Sequence, residues 1–532
     1  MPKVAYAQMK IAAGHPDLNT EKILKFIAEA KSQGAEIIIF PELSVSGDCI
    51  GDVWGQENFQ KECERCGEEI AAASKNILVV FGNTNDLWES SYFLAKDGKF
   101  IDEDDLPLSI GFAVEGENCY GEAEFFIKFL SEPFSLSRKI PAENINRPMI
   151  YIGAVGVQNT GKTIYTYEGA SAVYNSRGEI VQRAELFEES LNFIELDEID
   201  KMPALKLPKI SESAQIYRAL YHGVKNFLEQ IGMNKIVIGV SGGIDSAVAA
   251  ALYVQVVGAK NVYLVNMPSK FNSDTTKNLS ERLAKNLGCK YYVVPIQESV
   301  DWTVKQLEER GIEVSSFVKE NIQARDRSSR ILAAIAAAVG GGFTCNANKA
   351  ESTVGYATLY GDEAGFLSAL ADLWKFQVYD LARYMNEKIY GREVIPQGII
   401  DIVPSAELSS AQNVDEGKGD PLRYPYHDYL FRAFVEENLT PEEILNWYAS
   451  GELEENIGCE AGLVEKYFPT AQEFILDLER WWKAFTGMGV AKRIQSPPIL
   501  AVTNKSFGDI SESQNGGHFT QAYLELKNKL RK

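Results

Sequence analysis

Positive charge is scarce in this chain. Lysine and arginine number 53 against 74 aspartates and glutamates, with four histidines, giving a formal net charge of −21 over 532 residues. An acidic surface repels phosphate backbones and anionic lipid, so a nucleic-acid or membrane partner is not expected, and an anionic substrate must find a local cluster of cations. Long apolar runs are missing as well. The best candidate, ILAAIAAAVGGGF (331–343), is broken by three glycines and reads as a buried helix end rather than a membrane span. The stretch MPKVAYAQMKIAAGHPD lacks the basic region and apolar core of a signal peptide. Paired cysteines are also wanting: the seven are scattered and odd in number, which suits a reducing cytoplasm. Cys63-Glu-Arg-Cys66 has the spacing of half a zinc site, but no second pair follows at a suitable distance, so two incidental helix cysteines are expected.

What is present is enough for two or three domains. Residues 3 to 197 alternate strand and helix, with VAYAQM, EIIIFPE, NILVVFGN and MIYIGAVGV as strands and the turns KDG and SRG joining hairpins. LDEIDKMPALKLPKISES (196–213) then brings two prolines, alternating charge and no sustained period. The expected division is a first domain over 1–197, a linker over 198–213 and a second domain over 214–532. In the second, the strands KIVIGV, NVYLVNM, KYYVVPI and GFTCNA are separated by helical segments, which implies a doubly wound parallel sheet. After about 420 the chain is helical and acidic. No internal repeat is present.

The first of those strands runs straight into Ser-Gly-Gly-Ile-Asp-Ser and an Ala/Val-rich helix. Glycines there admit close approach, and unpaired helix N–H groups attract anions, although two glycines alone would equally make an ordinary strand-to-helix turn. A Walker-type phosphate loop needs a lysine after its last glycine, and this one has none.

The loop resembles instead the pyrophosphate loop of N-type ATP pyrophosphatases. With ENIQARDRSSR (320–330), NANKAESTVGYATLYGD (346–362), DLWKFQVYDLARYMN (372–386) and PSAEL (404–408), the second half resembles the NAD synthetases. The resemblance implies a ligase that adenylylates the nicotinate carboxylate of deamido-NAD with ATP and then lets ammonia displace AMP. It implies ATP contacts at Gly239, Ser241, Gly242, Gly243, Asp245, Ser246, Asn346, Lys375 and Ser405, and Mg²⁺ ligation by Asp245 and Glu351. Asp245 and Lys375 become the catalytic residues, with Lys375 steadying phosphate. Arg325 and Arg327, with Glu351, fall to deamido-NAD, although on the residues alone the arginines could be helix-surface charges. Asn346 stands where the family usually has threonine. The family also implies a homo-oligomer.

The first half, through EIIIFPELSVSGD (36–48), resembles the nitrilase, or carbon–nitrogen hydrolase, family, an α/β sandwich that supplies ammonia from glutamine in longer NAD synthetases. That chemistry needs a glutamate base, an oxyanion lysine and a cysteine nucleophile. Glu42 matches the first. In KFIDEDDLPLSIGFAVEGENCY (99–120), Asp105 precedes Leu106-Pro107 where lysine is expected, no lysine occurs between Lys99 and Lys128, and Glu115 takes the thiol's place. The expectation is a retained, inactive domain with Glu42 vestigial, fed by free ammonia or a separate amidase. The alternative is an active, atypical glutaminase using Cys119, four residues on.

Overall fold

β1 (Lys3–Gln8) is buried on both faces and sorts its side chains by size. Ala5 and Ala7 face two helices, where small residues allow close packing, while Val4 and Tyr6 face a second sheet. In the computed structural model the described residues are 2–85, 90–114, 119, 122–130, 132–138, 146–508 and 519–531. The chain divides into two compact units, Met1–Ser211 and Glu212–Lys532.

In the first unit, α1 (Pro16–Ser32) starts with proline at its first position and an acidic first turn, and α2 (Glu57–Ala73) packs beside it. Both lie on one sheet. Its strands are β1, β2 (Ile37–Ile39), β3 (Leu78–Thr84), β4 (Ser90–Lys96) and β5 (Lys99–Phe100), with β13 (Ser190–Glu195) on the far edge; β1, β2 and β3 run parallel. Cys63 and Cys66 are buried in this helix layer, packed with Ile23, Ile27 and Ile70.

The second sheet is ordered β12-β11-β8-β7-β6, with β6 (Ile110–Val114), β7 (Phe125–Leu130) and β8 (Met149–Gly153) parallel and β11 (Ala172–Tyr174) and β12 (Ile180–Arg183) forming a hairpin. β9 (Val155–Asn159) and β10 (Thr163–Glu168) pair with each other. Val4, Ile37, Ile39, Val80, Ile127, Phe129 and Ile150 close the space between the sheets. A parallel bridge between Lys10 and Val155, just past β1 and β8, puts the carboxyl ends of the two sheets' parallel strands at the same end of the sandwich. Among the described residues no helix lies between β6 and β8. The segment expected to open a linker at 198 instead forms a short 3-10 helix, Leu196–Lys201, because Leu196 and Ile199 are apolar enough to join this unit's core.

The second unit opens with α3 (Glu212–Gln230) and builds a four-stranded parallel sheet in the order β16-β15-β14-β17: β14 (Ile236–Gly239), β15 (Val262–Asn266), β16 (Lys290–Val293) and β17 (Gly342–Phe343). α4 (Ile244–Val257) is buried almost all round because sheet and helices enclose it, which explains its alanine-rich, unpatterned sequence. α5 (Asp274–Leu287) and α6 (Gln297–Glu308) follow. α7 (Ser316–Arg325) continues into wide, π-type turns over Asp326–Leu332 and then α8 (Ala333–Val339). α9 (Lys349–Val354), α10 (Lys375–Tyr384), α11 (Gln397–Asp401) and α12 (Tyr424–Val435) complete the surround. Further helices from Pro441 to Leu530 bury a core of Phe431, Phe434, Phe474 and Trp481. The chain leaves β14 toward β15 on one side and later returns to β17 on the other, so the crevice between β14 and β17 lies at the switch point of the sheet, where ligands of such folds sit.

Candidate active site

The turn from β14 into α4 is held by glycine for steric reasons. Gly242 has φ +92°, and a Cβ there would lie 2.4 Å from the carbonyl oxygen of Thr276 in the first turn of α5. Gly243 precedes α4 in extended backbone, leaving the first N–H groups of the helix without intrahelical acceptors. Ser241 Oγ accepts from the Gly243 N–H at 3.1 Å, and Ser246 Oγ donates to the Gly243 carbonyl at 3.1 Å. These two bonds hold the shape of the loop at the N-terminus of α4.

Beside it, Lys375 opens α10 and points into the protein with its side chain 4 % exposed. Its Nζ donates to Asp245 Oδ2 at 2.5 Å and lies 3.6 Å from Glu351 Oε1, over the ring of Tyr424 at 4.8 Å. Asn348 Nδ2 donates to the other Asp245 oxygen at 3.2 Å. Glu351 is fixed twice more. It closes a capping box with Asn348 at the start of α9, and its Oε1 accepts from the Tyr424 hydroxyl at 3.1 Å. Burial pushes the Glu351 carboxyl up, with Lys375 pulling the other way and Asp245 adding repulsion. Burial alone would lower the Lys375 ammonium; Asp245 and Glu351 outweigh it and hold it well above the usual lysine range.

Two adjoining cavities meet at this cluster. The larger, of about 230 Å³, is lined by Gly239, Ser241, Asp245, Ser246, Arg327, Asn346 and Glu351 together with apolar Met267, Leu332 and Leu408. The smaller, of about 150 Å³, is lined by Ser241, Gly242, Gly243, Asp245, Glu351, Lys375 and Ser405. Asn346 accepts from Thr344 Oγ1 at 2.9 Å and donates to the Gly239 carbonyl at 3.4 Å, bridging β14 and β17. Ser405 Oγ donates to the Gln412 carbonyl at 2.6 Å.

The two arginines expected together at the dinucleotide phosphates are not brought together. Arg327 lines the larger cavity, its Nε donating to the Met267 carbonyl and one terminal nitrogen to Asn272 Oδ1, both at 3.1 Å. Burial pulls its pKa down to about 10. Arg325 lines neither cavity; its exposed side chain donates to the Leu359 carbonyl at 3.0 Å. Residues two apart on a helix do not share a face, which is the reason for the split.

Several residues that the sequence reading did not single out belong to the site. Asp362 lines both cavities and Asp420 the smaller; burial raises the carboxyl of each. Asp420 Oδ1 accepts from the Ala406 N–H, the Tyr356 hydroxyl and Gln412 Nε2 at 3.0 to 3.1 Å. The Asn348-x-x-Glu351 spacing was a readable cap; Tyr424 carried no signal.

In the first unit, Glu42 follows β2 at the carboxyl end of the parallel strands. The Glu42–Leu43 backbone rests on Gly82, where a Cβ would lie 2.3 Å from the Leu43 nitrogen. Glu42 Oε1 accepts from Ser90 Oγ at 2.6 Å, while Oε2 is buried without a partner among the described residues. Tyr92, paired opposite Gly82, stacks on Phe112 at 4.3 Å and Phe129 at 6.0 Å between centroids. Glu115 lies outside the described residues. Cys119 Sγ lies 3.9 Å from Met149 Sδ in the cluster on the outer face of the second sheet. Met149 opens β8 and is level, through Phe126, with Gly111. That is three residues, or about 10 Å of strand, before Val114 at the carboxyl end of β6. Lys128 is buried in β7 between Ile127 and Phe129, which face the sheet-to-sheet core, so alternation turns it toward the outer face.

Residues 216–457 match the NAD synthase family and residues 3–105 the carbon–nitrogen hydrolase family. A glutamine-dependent NAD(+) synthetase of Aquifex aeolicus is 29% identical over 528 residues, covering 84% of this chain and 91% of the relative. One from Synechocystis is 28% identical, covering 95% and 97%. The crystal structure of a glutamine-dependent NAD(+) synthetase from Cytophaga hutchinsonii has the same fold over 100% of both chains, with a TM-score of 0.77 at 16% identity. The chain therefore belongs to the two-domain NAD synthetases, carbon–nitrogen ligases in which a nitrilase-like domain precedes the synthetase domain.

Proposed function

We propose that this protein makes NAD from deamido-NAD, ATP and ammonia, and that its first domain no longer supplies the ammonia from glutamine. The observation that carries the first part is the Lys375–Asp245–Glu351 cluster at the meeting of the two cavities. The larger cavity, with its apolar wall and the amides of Asn266 and Asn346, suits a nucleoside; the smaller, with the glycine loop and Lys375, suits phosphates.

The nicotinate carboxylate attacks the α-phosphorus of ATP, and pyrophosphate leaves. The N–H groups at the start of α4, with the Ser241 and Ser246 hydroxyls and Lys375, are placed to hold the departing charge. Ammonia then attacks the activated acyl carbon, AMP leaves and the amide is formed. Asp245 and Glu351 are hard oxygen donors, and no larger cluster of metal-ligating side chains exists among the described residues. A pair of carboxylates completed by substrate phosphates fits the way Mg²⁺ is commonly held, and the ion would neutralise the pyrophosphate. Glu351, whose protonation burial favours, gains from a nearby cation.

Three observations support an inactive first domain. Glu42 is bonded to Ser90, Tyr92 and Phe112 fill the space between the sheets beside it, and Cys119 packs against the opposite end of the parallel strands. The curated relatives are named glutamine-dependent, which keeps the second reading, a displaced Cys119 nucleophile, in view. Assays with ammonium and with glutamine as sole nitrogen source separate the two: NAD is expected from ammonium only, and glutamine-driven synthesis overturns the inactive domain.

A further inference from the structure

The loop over the cavities carries a buried acid that the reaction described above does not use. Glu407 is 2 % exposed and has φ +47°, a left-handed backbone that a non-glycine residue seldom adopts. Its carboxylate faces the start of α5. Oε1 accepts from the Ser273 N–H at 3.2 Å, and Oε2 accepts from Thr276 Oγ1 at 2.7 Å and from Asn272 Nδ2 at 3.2 Å. Ser273 is the cap of α5, so an anion here also meets the positive end of a 14-residue helix.

This one turn has other neighbours. The Thr276 carbonyl is the atom on which Gly242 rests. Asn272 Oδ1 accepts from Arg327, in the wall of the larger cavity. The residues flanking Glu407 line the cavities directly, Ser405 and Ala406 in the smaller and Ala406 and Leu408 in the larger. The roof loop, the glycine loop and the arginine wall are therefore fastened to the first turn of α5, and Glu407 makes the roof's fastening.

We propose that Glu407 is a positioning residue for ATP: through Ser273, Thr276 and Asn272 it sets the spacing between the roof at Ser405–Leu408 and the glycine loop at Ser241–Gly243. This rests on the nucleotide reading of the two cavities. It makes the carboxylate, not the unusual backbone, the functional feature. Glutamine in its place keeps the length but turns an amide N–H₂ toward donors that need an acceptor.

The test is titration calorimetry of ATP binding to the full chain, with thermal melts and steady-state kinetics alongside. Glu407→Gln is expected to weaken ATP binding about tenfold. Glu407→Gly is expected to weaken it at least as much, although glycine relieves the left-handed backbone, and Glu407→Asp to recover part of the loss. KM for deamido-NAD is expected to move less than KM for ATP. Unchanged ATP affinity in Glu407→Gln, or parental affinity in Glu407→Gly, overturns the proposal. So does an equal rise in both KM values accompanied by a lowered melting temperature, since that describes a merely structural residue. Binding is read without turnover, so a parent that binds ATP but makes no NAD refutes the reaction and leaves this test standing; a parent that does not bind ATP refutes both.

Discussion

Lys375 Nζ lies 2.5 Å from Asp245 Oδ2 although 130 residues of chain separate them. A buried ammonium brings the first turn of α4 and the first turn of α10 to one point, and Glu351 from α9 completes it. Two carboxylates share one cation, so the cluster can take up further positive charge.

Neutralising either acid removes that capacity. Asp245→Asn and Glu351→Gln are each expected to lower the rate of NAD formation about a hundredfold or more at saturating Mg²⁺. Near-normal turnover in either, measured by ammonium-dependent NAD formation, removes that residue from the proposed metal site.

Gly242→Ala introduces a methyl 2.4 Å from the Thr276 carbonyl at a backbone φ of +92°. The loop has to lift off α5, so ATP affinity is expected to fall about tenfold or more by calorimetry. Parental affinity would show that the loop tolerates a side chain and that the packing on α5 does not set its shape.

Cys119 packs beside Met149, away from the end of the sandwich where Glu42 lies. Cys119→Ala is expected to leave ammonium-driven synthesis unchanged, with no glutamine hydrolysis above background in either protein. Glutamine-driven NAD formation that disappears in Cys119→Ala is the opposite result, and it restores the hydrolase.

His222 in α3 has its pKa lowered to about 4, by burial first and by Lys225 and Arg218 in addition. The unfolded chain, near the ordinary 6.5, binds the proton more readily, so stability held above that value is lost as pH falls toward 4. Melting temperatures of the parent are expected to drop over this window more steeply than those of His222→Gln. Parallel pH profiles for the two proteins would place the acid sensitivity elsewhere.

The candidate site was legible where its parts are local. Ser241 to Ser246 sit in one turn, and Asn348 and Glu351 are one cap. Lys375 lies between Trp374 and Phe376, and burial between two acids is the reason a lysine is tolerated there. The arginines misled because QARDR shows adjacency in sequence, while the helix turns Arg325 outward and Arg327 inward. Asp420 and Glu407 were illegible for the opposite reason: each is defined by partners from distant segments, such as Tyr356 for the first and Ser273 for the second. In the first domain the absence of the expected lysine and thiol rests on motif position alone. The stack of Tyr92 on Phe112, which joins β4 to β6, had no counterpart in any local pattern.

The wide turns over Asp326–Leu332 give this helix an unusual freedom. A regular helix cannot lose a residue without rotating everything beyond the cut by about 100°. Wide turns hold surplus chain, so deleting one residue there tightens five-residue hydrogen bonds into four-residue ones and leaves both ends of the helix in phase. Only the bulge disappears, and Arg327 and Ser328 are part of that bulge and of the cavity wall. Scaffold and cavity wall can therefore be edited separately at this point, and a length change, rather than a substitution, is the natural way to reshape the larger cavity.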